Sequence, residues 1–223
     1  MNEVLWHDLR QECAARNATL VAVSKTKPAT DIAELYALGQ RDFGENYVQE
    51  LVDKHAQLPK DIHWHFIGHL QRNKVKYIAP FVHLIHAVDS MELLEEIQKQ
   101  AARCQRSIDI LLQLHVAREE TKYGLDQAEL AALLSIYNTA PERFANVRIC
   151  GLMAMASFTE DSRQVRDEFA AVHQQFEQIK MQYPGMSGHF SVCSMGMSGD
   201  YNIALEEGST MLRIGSMLFG KRN

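Results

Sequence analysis

The sequence predicts an α/β fold: a single (β/α)8 barrel, or TIM barrel, entered through an N-terminal helix, with residues 1–223 as one domain. Three observations lead there. Eight short, near-continuously apolar segments run along the chain, the pattern of parallel strands buried on both faces. Helical segments separate most of them, and such alternation defines an α/β fold. The 223 residues match the length of one barrel, with no linker, low-complexity tract or internal repeat among them. A doubly wound sheet of about six or seven strands is the alternative.

The elements follow in order. Residues 2–16 form an amphipathic helix with Val4, Leu5, Leu9 and Cys13 on one side. TLVAVSK (19–25) is the first strand. Pro28 ends it, and Thr30 is placed to cap a helix over 31–39. RDFGEN (41–46) precedes a helix over 46–58, IHWHFIG (62–68) one over 72–81, and VHLIHAV (82–88) one over 90–104. SIDILLQLHV (107–116) precedes a helix over 126–140, and NVRICGLMAMA (146–156) one over 161–182. GHFSVCSMG (188–196) leads to DYNIALEEG (200–208), and TMLRIG (210–215) is the last strand.

Composition narrows the function classes. The chain is 46% apolar and 23% charged, ordinary for a globular domain. A net charge of -5 gives no footprint for nucleic acid or an anionic membrane. No apolar run reaches the length of a membrane span, and MNEVLWHDLRQECAARN has no signal-peptide core, so a cytoplasmic protein is expected. Cys13, Cys104, Cys150 and Cys193 form no CxxC pair and read as reduced core thiols.

Chemistry in this fold sits at the carboxyl ends of the strands: here Lys25, Glu45, Asn46, Gly68, His69, Asp89, His115, Met155, Ser194 to Ser198, and Arg213 to Ser216. Lys25 shares a strand face with Val21 and Val23, which puts its amine at the top of the barrel core. Partial burial and the like charge of Lys27 both favour the neutral amine that attacks an aldehyde. A lysine simply reaching solvent is the ordinary alternative. CSMGMSGDY and RIGSMLFG follow the seventh and eighth strands, where this fold recurrently holds phosphate. Gly196 and Gly215 allow close backbone approach, and Ser194, Ser198 and Ser216 add hydroxyls, though glycine and serine also simply make turns. Arg213, inside the last strand, needs a partner: a core carboxylate such as Glu45, or a ligand. Asn46 either caps the second helix or bonds a ligand. Met155 can line a flat ligand or pack in the core. HWH puts His63 and His65 on one strand face, as in metal-dependent hydrolases. That reading needs a carboxylate at another strand end, but the eighth strand offers Arg213, and the HxH lies on the third strand rather than the first. Satisfied or solvent-facing histidines, and no metal, are expected.

Together the segments AVSKTKP, FGENYVQE, HWHFIGHLQRNK, IHAVDS, EETKYGL, GLMAMA, SMGMSGDY and RIGSMLFG resemble the YggS/PROSC family, the pyridoxal phosphate homeostasis proteins. The resemblance covers most of the chain from residue 20 onward. It implies the fold-type III arrangement, a barrel like the N-terminal domain of alanine racemase without a second domain. It implies a Schiff base between Lys25 and pyridoxal 5′-phosphate, phosphate held by Ser194 to Ser198 and Gly215–Ser216, and Arg213 at the pyridine nitrogen. Lys27 and Lys122 match further family lysines. Two departures stand out: a short N-terminal segment, and Tyr123 where a small residue is usual. The function implied is a monomeric, non-enzymatic carrier that limits free cofactor and passes it to PLP-dependent apo-enzymes. An amino-acid racemase is the alternative, and it needs a second base over the far face of the ring.

Overall fold

The computed structural model describes residues 1–116 and 123–220. Eight strands close into a barrel: β1 (Thr19–Val23), β2 (Asp42–Glu45), β3 (His63–Phe66), β4 (Leu84–Val88), β5 (Ile108–Gln113), β6 (Val147–Met153), β7 (Val192–Ser194) and β8 (Met211–Ile214). Each pairs in parallel with the next, and β8 returns to β1 with Arg213 opposite Val21. The expected barrel and strand order are therefore found.

The helices are α1 (Glu3–Ala15), α2 (Ala29–Ala37), α3 (Val48–Gln57), α4 (Val75–Ile78), α5 (Met91–Arg103), α6 (Gln127–Thr139), α7 (Ser162–Gln182), α8 (Tyr201–Glu206) and α9 (Ser216–Phe219). Their starts follow local chemistry. Ser90 Oγ accepts the Leu93 amide at 3.3 Å ahead of α5, and Asp126 with Glu129 forms a reciprocal capping box on α6. On α7, Val165, Phe169, Val172, Phe176 and Ile179 recur at helical spacing and are all buried. Apolar helix faces cover the outside of the strands. Val21, Leu84, Ala87, Leu111, Cys150, Met153 and Met211 fill a separate cluster with inward strand positions. All four cysteines are free thiols, and three are buried.

Several boundaries differ from expectation. Thr30 does not cap α2: Pro28 occupies the N-cap position, its ring fixing φ at -67° and letting the helix begin at Ala29. The helix expected over 72–81 is a 3-10 turn, Arg72–Lys74, and one α-turn, ended ahead of Pro80. β7 shrinks to three residues. Helix α3 starts after Tyr47, so Asn46 caps nothing. α1 lies across the chain ends, with the Asn2 amide on the Leu218 carbonyl at 2.8 Å.

Candidate functional site

At the carboxyl mouth of the barrel lies a cleft of about 440 Å³. It collects Lys25, Asn46, Met155, Ser198, Arg213, Gly215 and Ser216 from five different strand ends. Val23, Ile67, Phe158 and Met197 add apolar walls, and Lys27, Gly199 and Gly220 complete the lining. Ser194 and Gly196 are not on it. Ser194 is fully buried beneath, and Gly196 shapes the loop above β7: at its φ of +91° a Cβ would lie 2.6 Å from that of Ala204. Gly215 is needed for proximity, since a Cβ there would stand 3.2 Å from the Val23 carbonyl oxygen.

Lys25 is half-buried in the turn that follows β1. The next residue, Thr26, has φ +64°, a left-handed conformation unfavourable for a β-branched side chain. A buried ionic network imposes it. The Lys54 ammonium donates to the Ser24 carbonyl (2.8 Å), to Glu45 (2.7 Å) and to Glu50 (2.6 Å). Glu45 also accepts the Ser24 hydroxyl at 2.6 Å, and Glu50 accepts the Thr26 amide at 2.6 Å. Both neighbours of Lys25 are thus held from below. Burial pushes the Glu45 carboxyl above its ordinary value, with Lys54 and Ser24 pulling the other way. No motif marks Lys54. Its one signal is a lysine three residues after Leu51, on the apolar face of α3.

Arg213 does not pair with Glu45, whose Oε1 meets Lys54 and Ser24 instead. Its guanidinium, 4% exposed, donates to the Ser194 carbonyl (2.9 Å), the Ser194 hydroxyl (2.7 Å) and the Ala154 carbonyl (2.9 Å). Burial lowers its pKa to about 10, so it is a cation at neutral pH. Lys27 donates to the Phe219 carbonyl at 2.8 Å. Lys122 lies outside the described residues. Tyr123 stacks on His69 at 4.0 Å, and His69 with Asp89 belongs to a second, polar groove that also holds Arg72, Glu92 and Glu96. That groove contains neither Lys25 nor the serine and glycine loops.

His63 opens β3 and His65 is its third residue, and both reach Asp42 at the start of β2, toward the opposite mouth. His65 is buried, with Nε2 on Asp42 Oδ1 at 3.0 Å; His63 is exposed and reaches the same oxygen at 3.2 Å. The carboxylate beside them, Asp42, thus stands at a strand start rather than a strand end. Asp42, His63 and His83 place ligand atoms within 4.8 Å of one another. The His63 and His83 rings, however, stack at 4.4 Å and 17°, so their in-plane lone pairs run side by side rather than converging on one ion.

Burial, helped by the charges of His65 and His63, lowers the His83 pKa to about 4, and burial holds His86 well below its ordinary value. The unfolded chain titrates both near pH ~6.5. Below that pH it binds more protons than the folded chain, so both histidines make stability fall as pH drops toward 4 and leave it unchanged above ~6.5. Urea midpoints should be lower at pH ~5 than at pH ~7, with a smaller difference in His83→Gln. Equal differences in the two proteins would contradict this.

Pyridoxal phosphate fits the cleft. The buried Asn46 Oδ1 has no partner among the described residues, so hydrogen-bonding capacity remains for a ligand at the cleft wall. Ser198–Gly199 and Gly215–Ser216 approach from two loops with little side-chain bulk, and the volume suits one aromatic ring with a phosphate. Fold and cleft together define a barrel that offers an amine, hydroxyls and a buried cation to one small anionic carbonyl compound. The chain belongs to the alanine racemase N-terminal domain family, which it matches over residues 6–223. It is 40% identical to the pyridoxal phosphate homeostasis protein of Aquifex aeolicus over 92% of this chain and 87% of that one. The Escherichia coli K12 protein of that name is 38% identical, over 92% of this chain and 86% of its own length. The structure of PipY from Synechococcus elongatus with PLP bound superposes with a TM-score of 0.82, at 36% identity, covering 92% of this chain and 93% of that one.

Proposed function

We propose that this chain is a pyridoxal 5′-phosphate carrier acting in intracellular cofactor homeostasis. One observation carries the reading: Lys25 shares a cleft with both serine–glycine loops and Arg213. The names and bound ligand of the relatives support it. Lys25 would hold the cofactor's aldehyde through its amine, with water as the product of the condensation. Ser198, Gly215 and Ser216 hold the phosphate, with Gly196 setting the loop. Met155 would line the ring's side of the cleft, Asn46 would offer it a hydrogen bond, and Arg213 would supply a cation toward the ring nitrogen. A cation there keeps that nitrogen unprotonated. Ser194 acts through Arg213. Bound cofactor supplies an electrophilic carbonyl and an electron-accepting ring.

The barrel holds and releases this cofactor as a cytoplasmic monomer, passes it to PLP-dependent apo-enzymes and turns over amino acids negligibly. Racemisation needs a base on each face of the ring. Among the described residues no tyrosine lines the cleft, Tyr123 is stacked on His69, and Lys27 is bound to the Phe219 carbonyl. General acid–base help is worth about 10²- to 10⁴-fold, and one face lacks it. Cofactor-loaded protein incubated with L-alanine should retain the optical purity of the amino acid. Racemisation at an enzymatic rate that disappears in Lys25→Ala would make the chain a racemase. Arg213→Leu should weaken cofactor retention by about 1–3 kcal/mol, read by equilibrium dialysis.

A further inference from the structure

A chain of buried hydrogen bonds crosses the barrel interior from the cleft toward its opposite mouth. Arg213 Nη1 meets Ser194 Oγ at 2.7 Å, and Ser194 Oγ meets His86 Nδ1 at 3.3 Å. His86 Nε2 meets His65 Nδ1 at 2.9 Å, and His65 Nε2 meets Asp42 Oδ1 at 3.0 Å. Ser194, His86 and His65 are each at most 1% exposed, so the links among them are shut off from water, while the Asp42 side chain at the far end is 25% exposed.

The end members fix the direction of every link. A guanidinium only donates, and a carboxylate only accepts. Burial raises the Asp42 pKa, but His65 and His63 outweigh it, so Asp42 is ionised and takes the Nε2–H of His65. A neutral His65 then has a bare Nδ1, which takes the Nε2–H of His86. His86 in turn has a bare Nδ1 that accepts the Ser194 hydroxyl. The Ser194 oxygen accepts from Arg213. Each internal group donates once along the chain and accepts once. Reversing one imidazole alone sets two bare nitrogens, or two N–H groups, against each other.

Arg213 has need of such an anchor. Its three hydrogen bonds all go to neutral oxygens. A relay of aligned donors polarises each bond in turn and ends on a carboxylate, which strengthens the acceptor that Arg213 meets. We propose that Asp42, His65, His86 and Ser194 form a one-way hydrogen-bond chain that holds the Arg213 guanidinium in place, making the far mouth of the barrel a positioning device for the cofactor ring. The inference rests on the carrier reading above for its ligand, while the chain itself belongs to the cofactor-free protein.

Two measurements test it. Long-range ¹H–¹⁵N NMR of the cofactor-free protein at neutral pH reads both tautomers directly. His65 and His86 should each be protonated at Nε2 and bare at Nδ1; a neutral His86 carrying its proton on Nδ1 would overturn the proposal. Dialysis then follows pyridoxal phosphate itself. His86→Leu should raise Kd about tenfold, Asp42→Asn about threefold, and His86→Gln, which keeps one donor and one acceptor, should stay within about twofold of the parent. Asp42→Asn at the far mouth is the decisive variant, since a merely local packing role leaves the cleft unaffected by it. Unchanged affinity in folded Asp42→Asn, or equal losses in His86→Leu and His86→Gln, would refute the chain. Failure of the parent to take a borohydride-fixed label on Lys25 would instead refute the carrier reading, leaving the tautomer result standing.

Discussion

Borohydride reduction of the cofactor-loaded protein is expected to fix one label on the peptide carrying Lys25, and Lys25→Ala is expected to carry none there. The visible absorption of the bound cofactor should vanish with it. Lys25 stands at the end of β1 on the face shared with Val21 and Val23, and it lines the same cleft as Ser198, Arg213 and Ser216. Lys27 lines it too, but its ammonium is engaged by the Phe219 carbonyl. Retention should not disappear altogether, because the loop and Arg213 contacts do not depend on the amine. Without the covalent link, affinity should drop by a factor of about ten or more, equivalent to about 1.4 kcal/mol. Mass spectrometry of the digest decides the point: a label on Lys27, or an undiminished label in Lys25→Ala, would move the anchor elsewhere.

Lys54→Met should be the most destabilising single change around the cleft. Lys54 and Glu45 are paired at 2.7 Å, with side chains 7% and 0% exposed. Removing the cation leaves a carboxylate in the barrel wall without its counter-charge, and breaking such a pair costs about 3–5 kcal/mol. Urea unfolding should show this as a lower midpoint with an unchanged slope. Glu45→Gln combined with Lys54→Met should recover much of the loss, since no buried charge then remains. The penalty should also shrink in acid. Glu45 already has a raised pKa in the fold, and losing Lys54 raises it further, so lowering the pH lets Glu45 protonate and relieves the strain. Because Lys54 also holds the Ser24 carbonyl, the variant should bind cofactor more weakly even where it remains folded. A loss below about 1 kcal/mol would mean the network contributes little.

Much of this was legible in the chain order. Strand–helix alternation and eight apolar runs dictate a closed parallel barrel, because strands apolar on both sides must be covered on both sides. The period-2 geometry of a strand puts Lys25 above Val21 and Val23, and the glycine–serine loops fall after the last two strands by position alone. SMGMS, GENYVQE and the other segments carried the family.

What crosses from strand to strand was not legible. Sequence separations of 21 between His65 and His86, and of 108 between His86 and Ser194, carry no local signal. Whether Ser194 faces the cleft or the interior depends on the stagger of β7, three residues long. Nor was it legible that Glu45 takes Lys54 from α3 while Arg213 turns to the oxygens of Ser194 and Ala154. The sequence by itself determined the alternation, the barrel and the lysine at the end of β1, because local periodicity and burial act on neighbours along the chain. Only the closed barrel decided which polar groups meet inside it. Closure brings together side chains from strands far apart in sequence, and in a dry interior each donor must find the acceptor that geometry offers.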